Sequence, residues 1–203
     1  MIISDSKKLV FVHVQKTGGV TMSRLLKEQL GNEDVRRVAN RHAPLEQILA
    51  KEPELADYWI FGFVRNPWDR MVSWWAMIEN WRNYNARKGR TIEDRGNHFW
   101  RVTAGYQDFD EFVLRGTKAF PRLQRPQIDF LVAGDRRADF IGRTENLHDD
   151  ANHALEHVGL TTEAIGHHNK GKRSDYRDYY TPETRDRIGE VFAKDVAEFD
   201  YEF

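Results

Sequence analysis

The chain alternates short, nearly continuous apolar runs with stretches in which apolar residues recur every three or four positions. Leu9-Val10-Phe11-Val12-His13-Val14 is such a run, rich in β-branched and aromatic residues, as expected of a strand buried on both faces. After Gly18-Gly19 the period changes, and Met22, Leu25, Leu26 and Leu30 form one stripe of a helix. Val35-Arg36-Arg37-Val38 has the composition of a short strand, and Leu45, Ile48 and Leu49 mark a helix that Pro44 can open at its first position. Tyr58-Trp59-Ile60-Phe61-Gly62-Phe63-Val64 reads as a second buried strand, followed by a helix with Trp68, Met71, Val72, Trp75 and Ile78 on one side. From Asn83 to Gly105 the chain is polar and basic and reads as an excursion from the core. Asp108 with Glu111 predicts a capped helix through Leu114, and strands are expected near Phe130-Leu131-Val132 and Asp139-Phe140-Ile141. A helix with Leu147, Ala151, Ala154, Leu155 and Val158 follows. The last helix takes Thr181 as N-cap and Pro182 at its first position, with a stripe from Ile188 to Phe199. Strands alternating with helices predict an open α/β layer with a mainly parallel sheet, whose ligands sit beyond the carboxyl ends of the strands.

Composition narrows the picture. A chain of 203 residues, 40% hydrophobic and 31% charged, suits one core, and residues 1–203 are expected to form a single domain. The formal net charge of −1 argues against a general nucleic-acid binder but leaves room for a local basic site. With no cysteine there is no disulfide, thiolate metal site or thiol nucleophile, which suits a reducing compartment. The run Leu9–Val14 is too short for a signal segment, and nothing reaches the ~18 apolar residues of a membrane span, so a soluble, cytoplasmic protein is expected.

Two strand–loop–helix junctions carry the candidate chemistry. In Gln15-Lys16-Thr17-Gly18-Gly19-Val20-Thr21, the glycines let the backbone approach a ligand while the N–H groups and positive end of the following helix face an anion. Lys16 adds a mobile charge, and the Thr17 and Thr21 hydroxyls can donate. The plainer alternative is a tight turn that merely ends a strand. A Walker A loop places its lysine after the glycines; here it precedes them, which disfavours an ATP- and magnesium-dependent phosphotransferase. The second junction, Val64-Arg65-Asn66-Pro67-Trp68-Asp69-Arg70-Met71-Val72-Ser73, offers a guanidinium at the strand end and a hydroxyl about two turns into the helix, a pairing suited to a phosphate. Arg70 and Asp69 have a structural alternative as an ion pair or cap.

These two motifs resemble the 5′-phosphosulfate loop and the 3′-phosphate motif of the sulfotransferase superfamily, nearest the branch of bacterial and carbohydrate enzymes such as heparan sulfate 2-O-sulfotransferase. Arg125-Pro126-Gln127, Gly142-Arg143-Thr144-Glu145-Asn146-Leu147 and the tail from Tyr179 to Phe203 extend the likeness over nearly the whole chain. The resemblance implies a P-loop-like three-layer α/β fold and 3′-phosphoadenosine 5′-phosphosulfate (PAPS) as donor, with a hydroxyl acceptor, in first place a glycan. It assigns Lys16, Thr17, Gly18, Gly19, Val20 and Thr21 to the phosphosulfate and Arg65 with Ser73 to the 3′-phosphate. The sequence departs from the family at Gln15, often proline there, and at Val20, often threonine or serine.

Attack on sulfur needs a base for the acceptor hydroxyl. His42, in the loop Ala39-Asn40-Arg41-His42-Ala43-Pro44, is the candidate, because related carbohydrate enzymes carry a catalytic histidine there and imidazole titrates near neutrality. Its alternative is a surface histidine capping the next helix. His13 reads as a packed group, and His98, His167 and His168 are possible cleft residues. Lys172 and Arg173, in a late basic loop, are assigned to the nucleotide by analogy, with a solvated charge run as the alternative. Arg82 to Arg95 is either an anionic-acceptor patch or exposed loop charge. No metal-ligand spacing is present, so no metal is expected. A non-catalytic glycan- or nucleotide-binding module remains a third reading.

Overall fold

The computed structural model describes residues 1–90, 97–161 and 175–203. In chain order these form β1 (Ile2–Ser4), β2 (Leu9–Val12), α1 (Gly19–Leu30), α2 (Leu45–Leu49), β3 (Trp59–Val64), α3 (Pro67–Arg87), α4 (His98–Ala104), α5 (Phe109–Ala119), β4 (Val132–Ala133), β5 (Arg136–Arg137), β6 (Phe140–Arg143), α6 (Leu147–Glu156), α7 (Pro182–Val191) and α8 (Ala193–Phe199). The chain divides into two compact units, Met1–Arg65 with Gln127–Lys172 and Asn66–Pro126 with Arg173–Phe203.

The first unit is α/β. Its four-stranded sheet has the order β1-β2-β3-β6, with β1 antiparallel to β2 and the remaining pairs parallel. Side-chain alternation sends Phe11, Phe61 and Phe63 to one face, where they join Met22, Leu25 and Leu26 of α1 and Ala151, Ala154 and Leu155 of α6 in a fully buried cluster. Each large apolar side chain buried this way contributes about 1.5–3 kcal/mol. A side chain at Gly62 would collide with Leu131, since a Cβ there would lie 2.5 Å from it. In-register pairing of Val12 with Gly62, and of Gly62 with Ile141, brings the carboxyl ends of the parallel strands to one edge. Both candidate loops leave the sheet there.

The mainly parallel sheet with flanking helices is as expected, and the differences are local. β1 was not anticipated, because Met1-Ile2-Ile3 is too short to show a period; it forms by pairing Ile3 with Val10. Val35–Val38 makes only a single bridge, Ile3 to Arg36. Near Phe130 the expected strand is a 3-10 turn, Ile128–Phe130, followed by the short β4–β5 hairpin. Gly134, at φ 58°, supplies the left-handed residue of that hairpin.

The second unit is helical among the described residues. α3 runs on to Arg87, and α4 lies within the stretch read as an excursion, its Phe99 against Trp74 at 5.5 Å between ring centroids. Asp108 caps α5 by accepting from the Glu111 N–H at 2.8 Å, as its spacing predicts. Thr181 and Thr184 form a reciprocal cap on α7. The last helix is not continuous: it breaks at the buried Phe192 (φ −109°, ψ 26°) into α7 and α8.

Candidate active site

At the β2–α1 junction the chain turns on itself through two left-handed residues, Lys16 (φ 70°) and Gly18 (φ 78°). Glycine adopts this conformation without penalty, whereas for Lys16 it costs ~1–2 kcal/mol. Gly19 is required for a different reason: a Cβ there would lie 2.1 Å from the His13 ring. α1 then begins with no side-chain cap. Its N-cap, Gly18, has no side chain to accept from the N–H groups of the first turn, and the positive end of the helix dipole stands behind them. Thr17 behaves otherwise than its hydroxyl suggests. It is 1% exposed and donates from Oγ1 to the Val14 carbonyl at 3.1 Å, so only its backbone N–H remains for a ligand. Thr21 is half-buried and Val20, at 70% exposure, stands out into solvent.

At the end of β3, Arg65 is held by a residue from far along the chain. Gln127, fully buried, accepts from the Arg65 N–H at 2.9 Å and donates to the Arg65 carbonyl at 2.8 Å, acting as one rung of a strand ladder. Thr144 donates to the Val64 carbonyl at 2.9 Å. The Arg65 guanidinium is thereby directed along the sheet edge, where Nη1 donates to the Lys16 carbonyl at 3.4 Å. Lys16 and Arg65 therefore sit on adjoining main chain.

The helix that follows Arg65 is closed at its start. Asn66 caps α3 by accepting from the Trp68 N–H at 3.0 Å and the Asp69 N–H at 3.5 Å, and its amide donates to the Glu202 carbonyl at 2.8 Å. Pro67 has no N–H to offer. The cap is thus Asn66 rather than Asp69. Arg70 is buried with its guanidinium over the Phe192 ring, 5.7 Å from the centroid, a packing role. Ser73 lies on α3, half-buried.

His42 does not cap α2, whose N-cap is Pro44. Its Nδ1 lies 3.0 Å from the His13 carbonyl oxygen. A carbonyl can only accept, so Nδ1 carries the proton and Nε2 the lone pair, the tautomer a general base needs. The His42 and His13 rings meet edge to face at 4.5 Å, and the His13 ring fills the space beside Gly19. His13 is 3% exposed, and its pKa is pushed down to about 3, by burial first and then by electrostatic coupling to the neighbouring His42, with the N-terminus, Arg41 and Arg37 adding to it. Its ring is therefore neutral near neutral pH.

Lys172 and Arg173, together with His167 and His168, lie outside the described residues. His98 stands on α4 beside Phe120. Arg82 donates to the Tyr106 carbonyl at 2.9 Å and lies over Trp75, which makes it part of the second unit's packing rather than an open patch. No group of metal-ligating side chains occurs among the described residues. None of the described helices is long and apolar enough to cross a membrane. Sequence reasoning missed the part played by Gln127; the only signal was its place in Arg125-Pro126-Gln127, next to nothing it touches in sequence.

A lysine loop and an uncapped helix start thus lie at the carboxyl edge of a parallel sheet, with an arginine and a hydrogen-bonded imidazole nearby, an arrangement able to hold an anionic group. The model of the sulfotransferase family matches residues 1–202, and the chain belongs to that family. It is a sulfotransferase, which moves a sulfuryl group to a hydroxyl-bearing acceptor. No match is found among curated proteins or among solved structures.

Proposed function

We propose that this sulfotransferase is a single PAPS-dependent domain of P-loop-like, three-layer design that sulfates a hydroxyl on a carbohydrate. The observation that carries the reading is the contact of Arg65 with the main chain of the Lys16 loop. It sets two anion-seeking side chains and an uncapped helix start at one edge of the first unit's sheet. A phosphosulfate fits the uncapped turn of α1, where free N–H donors and a fixed dipole stabilise charge without reorganisation. Arg65, a planar fork of donors, suits the 3′-phosphate that distinguishes PAPS from AMP derivatives. For Ser73, Lys172 and Arg173, the support is the sequence motif alone.

In this reading the acceptor oxygen forms its bond to sulfur as the bond from sulfur to the phosphate oxygen breaks, and the electron pair leaves with the phosphate. His42 Nε2 takes the hydroxyl proton, and the His13 carbonyl holds the resulting imidazolium through Nδ1–H. Lys16 and the first-turn N–H groups of α1 stabilise the charge on the departing phosphate. Carbohydrate is the favoured acceptor because the motifs resemble that branch.

The test is a titration of the desulfated product, 3′-phosphoadenosine 5′-phosphate, against AMP and against ATP with magnesium. Arg65→Ala should weaken the first ligand at least ~10-fold more than AMP, as expected when a charged, bidentate partner is lost. Equal loss for both removes the 3′-phosphate assignment, and tighter ATP–magnesium binding by the wild type removes the donor.

A further inference from the structure

His13 follows β2 directly and is 3% exposed, too enclosed to offer a ligand surface of its own. Its ring is nevertheless in contact on several sides. It stacks on Phe11, 5.8 Å between centroids and 27° from parallel, and Phe11 belongs to the buried cluster that includes Met22, Leu25 and Leu26 of α1. Its Cδ2–Nε2 edge abuts Gly19, where a Cβ would lie 2.1 and 2.2 Å from those two atoms. The His42 ring meets it edge to face, at 4.5 Å and 70°.

These contacts join pieces of chain from different segments. Gly19 begins α1, whereas His42 lies in the loop before α2. There Asn40 shapes the main chain, accepting from the His42 N–H at 3.0 Å through Oδ1 and from the Ala43 N–H at 2.8 Å through its carbonyl. That turn fixes the His42 backbone and leaves the imidazole to be oriented. The hydrogen bond from Nδ1 to the His13 carbonyl, 3.0 Å long, fixes one ring atom, about which a ring can still swivel. The His13 ring supplies a second point of contact, and the two together define a plane. Its burial suits the task. A cation facing His42 would oppose the imidazolium that forms there when a proton arrives. The groups acting on His13, namely His42, the N-terminus, Arg41 and Arg37, each disfavour a proton on it, and the ring stays uncharged near neutral pH.

We infer that His13 is a positioning residue for sulfuryl transfer, a spacer whose ring sets the plane of the His42 imidazole against the first turn of α1. The inference rests on the roles proposed above for His42 and the α1 cradle, and it deepens them by naming what keeps the two in register. Misplacing a reacting group by about 1 Å can cost ~100-fold in rate, so a rigid spacer between base and cradle has a direct kinetic value. The need for glycine at position 19 follows, because the spacer fills the room that a Cβ would take.

The experiment reads the His42 ring directly, by imidazole nitrogen NMR of the full chain near neutral pH, with its signal identified by loss in His42→Ala. In the wild type His42 should be a single tautomer with the proton on Nδ1, whereas a freely turning histidine favours the proton on Nε2. His13→Leu keeps the main-chain carbonyl and an uncharged side chain of similar volume but removes the flat ring. Its His42 signals should move most of the way toward the free-histidine pattern; if that variant does not fold, His13→Gln takes its place with the same expectation. Gly19→Ala supplies a second arm. Its new Cβ presses on the His13 ring, and His42 should respond in the same direction, but not where His13→Ala has already cleared the space, a non-additivity that a general loss of stability does not produce. In PAPS turnover the cost of His13→Leu should fall on kcat, by ~10–100-fold, with the donor KM changed less than ~3-fold. His42 signals indifferent to the loss of the His13 ring, or a Gly19→Ala effect that persists in the His13→Ala background, overturn the inference. Failure of the underlying reading appears separately: absence of 3′-phosphoadenosine 5′-phosphate binding by the wild type removes the donor, and an undiminished kcat in His42→Ala removes the base, whichever tautomer is seen.

Discussion

The two strand-to-helix junctions look alike in sequence and work by opposite means. At the β2–α1 junction the helix start is left open: the N-cap, Gly18, has no side chain to close it, as the proposed backbone cradle requires. At the β3–α3 junction the helix start is sealed by Asn66 and Pro67, so its first turn offers no open cradle. The lesson is that a strand–loop–helix motif announces an anion cradle only when its cap position is empty. An apolar strand followed by a loop and a helix is compatible with either state.

Five variants break or sharpen this contrast. The largest effect is expected from His42→Ala, which removes the proposed base: kcat should fall ~10²–10⁴-fold. Binding of 3′-phosphoadenosine 5′-phosphate should persist, and a kcat within a few-fold of wild type would discard the base assignment.

Next comes acid sensitivity arising from His13. In the unfolded chain this imidazole takes a proton below its ordinary value of 6.5, whereas in the fold it resists protonation until about pH 3. The unfolded state therefore binds more protons through that window, and stability is lost as pH falls from about 6.5 toward 3, at up to ~1.4 kcal/mol per unit. Urea unfolding of His13→Gln across this range should show a flatter acid limb. An unchanged slope would mean the ring is not shielded as described.

Gln127→Leu, near in shape but unable to bond, leaves the Arg65 N–H and carbonyl unpaired in a buried place. A loss of ~2–3 kcal/mol is expected in chemical denaturation, with weaker 3′-phosphoadenosine 5′-phosphate binding. Binding at wild-type strength would show that Arg65 is oriented by something else.

The smallest effects have opposite signs. Lys16→Gly relieves the left-handed strain and should stabilise the fold by ~1 kcal/mol while abolishing turnover. Asn66→Ala removes the α3 cap and should destabilise by ~1 kcal/mol. Thermal denaturation compares the pair directly, and changes of the same sign would undo the distinction between an open and a sealed junction.

Much of this was legible because buried parallel strands and amphipathic helices leave strong periods. Phe61-Gly62-Phe63-Val64 announces a strand whatever surrounds it, and Thr181-Pro182 announces a helix start. The β2–α1 loop was readable as a candidate anion site because its residues are contiguous. What escaped notice depends on partners distant in the chain. The Thr17 hydroxyl turned inward to Val14, Asn66 took the cap from Asp69, and Gln127 completed the end of β3, none of which has a local period.

Gln127 has an architectural consequence. The chain departs from the sheet just after Arg65 and rejoins it at Gln127, and hydrogen bonds of 2.9 and 2.8 Å tie departure and return to a single rung. The closure entropy of everything in between is therefore settled at one point and grows only slowly with its length. A change of length within a loop of that intervening chain is therefore expected to leave the strand end that carries Arg65 in register.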